Sequence, residues 1–106
     1  MATSTIQKMG KDAILVRTYS GGFSLGASAA TGINGSTVGY SAPPSGYTPI
    51  AFKRVDTASN NIVFRNMNVD GYGGNPVVVV RNLATTTTTG TLVVVIVFVR
   101  SDLIGT

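Results

Sequence analysis

At 106 residues the chain holds enough for one domain and one modest core, not for two. It has no cysteine, no histidine and no glutamate, which removes disulfides, thiolate and imidazole metal sites and the usual general base. The net charge of +4 reflects eight basic residues against four aspartates, and charged residues make up only 11% of the chain, well below an ordinary globular surface.

The first residues, 1–9, contain no apolar core, so no secretory signal is expected. Residues 1–11 read as an N-terminal arm ahead of a single domain over 12–106. Residues 13–19 form the first good strand pattern, which Ser20-Gly21-Gly22 is expected to break before the short alternation of residues 23–25. Residues 26–37 are small and polar, with Asn34-Gly35 a tight-turn signal, and read as a surface loop. The stretch 41–46 is a stiff connection whose Pro43 and Pro44 cannot sit inside a sheet. A strand is expected over 47–55, a polar hairpin loop over 56–61, and another strand over 62–69. In that strand Asn66 and Asn68 mark one partly wet face. A glycine-rich turn follows over 70–76. Residues 77–81 are a strand apolar on both faces, and 82–90, with five consecutive threonines, lead on to the next.

Residues 91–100 carry the strongest signal. Eight of the ten are apolar and six of those are β-branched, a composition that fits a pleated strand far better than a helix. The run is too short to cross a bilayer as a helix, which needs about 20 apolar residues. Alternation puts Leu92, Val94, Ile96 and Phe98 on one face and Val93, Val95, Val97 and Val99 on the other, so both faces need cover. About seven strands at regular spacing predict an all-β fold, an antiparallel β-sandwich of jelly-roll type.

The same composition argues against an enzyme. Asp56 and Asp70 fall in expected turns, where aspartate caps nearby backbone, and residues 71–76 lack the Gly-Lys-Ser/Thr ending of a phosphate loop. No catalytic residue, metal or cofactor is expected. The basic residues are scattered, with Lys53-Arg54 the only adjacent pair, so specific nucleic-acid binding is not expected either. Nothing suggests membrane insertion. What remains is binding: Tyr72 in its glycine-rich loop, with Arg65, Asn68 and Asn75, is the candidate set for a shallow sugar or protein contact. Tyr47 and Phe52 read as core.

The succession Ser41-Ala-Pro-Pro-Ser-Gly-Tyr-Thr-Pro-Ile-Ala-Phe52, Val77-Val-Val-Val-Arg-Asn-Leu83 and residues 92–100 resembles small virion modules of tailed bacteriophages, across roughly residues 12–102. Such modules occur at fibre tips, in receptor-binding heads and as capsid fibres or decorations. A more distant similarity is to the H-type lectin sandwich. The resemblance implies a homotrimer located in the virion, in contact with other virion proteins and with a host-surface glycan or protein. The function it implies is host adhesion by a receptor-binding or fibre-tip module. The alternative is a capsid or tail decoration with a purely structural role. A trimer would cover the second face of strand 91–100 with two further copies. Val93, Val95, Val97 and Val99 are then the candidate interface, with the larger Leu92, Ile96 and Phe98 in the core.

Overall fold

A computed structural model describes residues 13–69 and 75–104, and the expected arm over 1–11 lies outside them. Six strands are present among the described residues: β1 (Ile14–Leu25), β2 (Ala30–Asn34), β3 (Tyr47–Thr57), β4 (Ile62–Asn68), β5 (Val77–Asn82) and β6 (Thr88–Arg100). They form two three-stranded antiparallel sheets, one ordered β1-β6-β3 and the other β2-β5-β4. The two most β-branched segments of the chain therefore take the two central positions, where a strand needs partners on both edges. The pairing is nested. The first strand pairs with the last and the second with the fifth, so residues 14–34 and 77–100 make one long antiparallel ribbon that passes from sheet to sheet.

Alternation within each central strand decides what goes inside. Leu92, Val94, Ile96 and Phe98 of β6 are almost wholly buried, as are Val78 and Val80 of β5. They join Leu25, Ile33, Val38, Tyr40 and Ile62 in one apolar cluster drawn from both sheets. Burying each such side chain contributes roughly 1.5–3 kcal/mol. Tyr47 and Phe52 pack against this cluster, in keeping with their core reading.

Four expectations need correction. The count is six strands among the described residues, not about seven, partly because β1 runs straight through Ser20-Gly21-Gly22 to Leu25. Gly21 serves a different need from a turn: a Cβ built there would stand 1.8 Å from the Thr37 carbonyl oxygen, so the missing side chain admits another backbone. Residues 26–37 are not simply a loop, since they contain β2 and a 3₁₀ turn over Gly35–Val38. Residues 56–61 do not close a hairpin, because β3 and β4 belong to different sheets. Those residues carry the chain from one sheet to the other.

The 3₁₀ turn explains how Tyr40 reaches the core. Gly39 closes it in the left-handed region at φ 80°, a conformation most side chains resist, and the Tyr40 N–H donates back to the Gly35 carbonyl at 2.8 Å. That reversal drives the Tyr40 ring inward. It lies edge-on to Tyr19, with centroids 5.2 Å apart, and stacks on Phe98 at 6.3 Å.

Among the described residues one asparagine is fully buried. Asn82, the last residue of β5, donates from Nδ2 to the carbonyls of Leu25, Gly26 and Thr86 at 3.0–3.1 Å. Its Oδ1 accepts from the Ala84 N–H and the Thr88 hydroxyl, both at 3.0 Å. A single amide thus fastens the end of β1, the crossing from β5 and the start of β6.

Candidate functional site

Both sheets turn one face outward, and the two faces differ in chemistry. On the β6 sheet, register sets Ile14 beside Val99 and Val16 beside Val97. Across from these, a bulge between Pro49 and Ala51 sets Ile50 and Ala51 together against Val97. Ile14, Val16 and Ile50 are 60%, 46% and 47% exposed, large values for side chains of this kind. Further along, Val95 lies between Thr18 and Arg54, and Val93 between Ser20 and Asp56. The valine row thus divides. Val97 and Val99 sit in an apolar half of the face, whereas Val93 and Val95 sit in a polar half, where Val95 is already buried.

One ion pair stands in the polar half. Arg54 donates to Asp56 at 2.8 Å, and Asp56 also accepts from the Thr57 N–H at 2.8 Å. The Arg54 guanidinium, with help from that backbone donor, holds the Asp56 carboxyl below the usual carboxylate range. At the far end of β6, Arg100 makes a two-pronged pair with Asp102 at 2.7 and 3.0 Å. Asp56 is thus in a strand rather than the turn expected for it.

The β5 sheet shows the other chemistry. Val77, Val79 and Arg81 point away from the core, flanked by Asn34 and Gly32 on β2 and by Val63, Asn66 and Asn68 on β4. A bulge between Phe64 and Asn66 places Arg65 and Asn66 together against Val79. Of the candidate contact set, Arg65 and Asn68 therefore share this exposed face, and Asn75 lies just beyond its end, two residues before β5. Tyr72 lies outside the described residues.

Asn75 borders an open groove of about 430 Å³ together with Asn34, Ser36, Gly39, Tyr40 and Ser41. Its lining mixes amides and hydroxyls with apolar surface, and the Ser36 hydroxyl donates to the Asn34 Oδ1 at 2.7 Å. Register sets both Asn34 and Asn68 against Val77, on opposite sides. The groove thus adjoins the face that carries Arg65. Amides and hydroxyls in such a place can donate and accept hydrogen bonds.

Of the residues expected from the sequence, Asn75 lines this groove and Arg65 and Asn68 lie on the adjoining face; Asn34, Ser36, Ser41 and Arg81 were not among those expected. Asn34 had registered only as a turn signal. Its role depends on β2 pairing with β5 some forty residues later, which no local pattern announces. Among the described residues no three acidic, histidine or cysteine side chains come together to hold a metal ion. Among the described residues no helix is long and apolar enough to cross a membrane. No family model, no curated protein and no solved structure matches the chain.

Proposed function

We propose that the chain is a non-enzymatic virion module of bacteriophage type: a jelly-roll β-sandwich that assembles as a homotrimer and serves host adhesion. The observation that carries the assembly is the apolar half-face of the β6 sheet, where Ile14, Val16 and Ile50 stand exposed beside Val97 and Val99. Contiguous apolar surface of this kind marks a contact, and closed cyclic symmetry lets identical patches cover one another without forming filaments. The strand orders β1-β6-β3 and β2-β5-β4, with first and last strands paired, support the jelly-roll reading. The virion setting rests on the sequence resemblance. The polar groove at Asn34 and Asn75 would be presented in triplicate, so that weak single-site affinity is raised by avidity.

Light scattering tests the assembly. The wild type is expected at the mass of three chains, and Val97→Lys at the mass of one, since a charge in the centre of the apolar half cannot be covered. A wild type that runs as a monomer removes the trimer. A trimer indifferent to Val97→Lys moves the interface to another surface.

A further inference from the structure

We infer that the outward face of the β5 sheet binds the anionic groups of a polysaccharide through Arg65 and Arg81. Register places Arg81 directly opposite Val63, and Arg65 two residues further along the same exposed face of β4. Diagonal neighbours on one sheet face stand about 7 Å apart, close enough for one carboxylate, sulfate or phosphate group to engage both guanidinium forks. Both arginines are exposed, and neither has an acidic partner among the described residues. The two described acids, Asp56 and Asp102, are taken up by Arg54 and Arg100 on the other sheet.

Two like charges side by side, with no counterion among the described residues, oppose folding, so their pairing here points outward to a ligand of opposite sign. Asn66, set beside Arg65 by the bulge, adds an amide that suits a sugar hydroxyl. A nucleic acid fits the face less well: Phe64 of β4 faces the core, and the outward residues named above include no aromatic platform for a base. The inference gives a ligand class to the adhesion reading and rests on it for the choice of a glycan.

Nitrogen-detected NMR titration, followed at the arginine Nε–H and asparagine amide signals, tests the inference on the intact chain. The probes are a heparin-derived sulfated hexasaccharide, an oligosaccharide of sialic acid, neutral maltohexaose and a twelve-residue oligothymidylate. Binding of the sulfated or the carboxylated probe is expected, with Arg65 and Arg81 signals moving together; which of the two binds more tightly names the acid group. Arg65→Gln and Arg81→Gln are each expected to weaken it about tenfold, with Lys53→Gln unchanged. Equal binding of maltohexaose, tighter binding of oligothymidylate, insensitivity to both arginine variants, or no binding of any probe overturns the inference. The titration reads a face within a single chain, so its failure is separate from a failure of the trimer in light scattering.

Discussion

The two sheets are built to one plan and end with different surfaces. Each sets a β-branched strand between two flanking strands and gives the inward half of that strand to a shared core. Outward, the β6 sheet shows isoleucine and valine and pairs Arg54 with Asp56, whereas the β5 sheet shows asparagine and two arginines without an acid. Identical inward requirements therefore leave the outward side chains free to diverge. It is there, not in the core, that the two sheets differ.

The strongest way to break the comparison is to cut the point where the sheets are joined. Asn82→Leu removes five side-chain hydrogen bonds: the carbonyls of Leu25, Gly26 and Thr86 lose the amide donor, and the Ala84 N–H and Thr88 hydroxyl lose its acceptor. A loss of about 3–5 kcal/mol is expected in chemical denaturation, because stranded buried polar groups cost about 1–3 kcal/mol each. A change within 1 kcal/mol would mean the sheets are held by apolar packing alone.

Next in size is a matched pair of glycine substitutions, one on the outer strand of each sheet. Gly21→Ala on β1 drives a methyl group into the Thr37 backbone and should cost about 2–3 kcal/mol, as overpacking does. Gly32→Ala on β2 meets only the Val77 side chain at 3.4 Å and should stay within about 0.5 kcal/mol of the wild type. Thermal melts of the two variants separate the crowded flank from the open one. Equal melting points would show that the 3₁₀ turn does not clamp β1.

The smallest effect sharpens the electrostatic half of the contrast. Folding lowers the Asp56 pKa, so its contribution to stability is full above the ordinary value of 3.8 and is lost as pH falls through the folded value. Arg54→Gln should raise the Asp56 midpoint toward that ordinary value, read by NMR titration, while the Thr57 N–H keeps part of the depression. An unmoved midpoint would assign the whole effect to the backbone donor.

The strands and the inward face of 91–100 were legible because a β-branched run of alternating burial is a local property. Leu92, Ile96 and Phe98 lie in the core as their size predicts. What escaped was non-local. Ser20-Gly21-Gly22 looks like a break until the backbone of Thr37 is known to cross it, and Ala30–Asn34 has too few apolar residues to read as a strand before β5 lies beside it. Residues 56–61 have the composition of a hairpin loop, and composition does not say which sheet receives the next strand. Arg81 carried no signal of its own, since only the register with Val63 brings it near Arg65.

The nested pairing has a consequence for a chain made from its N-terminus onward. The β5 sheet has all its strands once residue 82 has emerged, but β1 and β3 do not pair with each other and must wait for β6 to come between them. Until then β1 and β3 are two open strand edges with no ladder to join, and the contact that completes the sheet closes the loop 26–87 between β1 and β6. The second sheet therefore waits for β6, and its long-range pairing makes folding slow for a domain of this size.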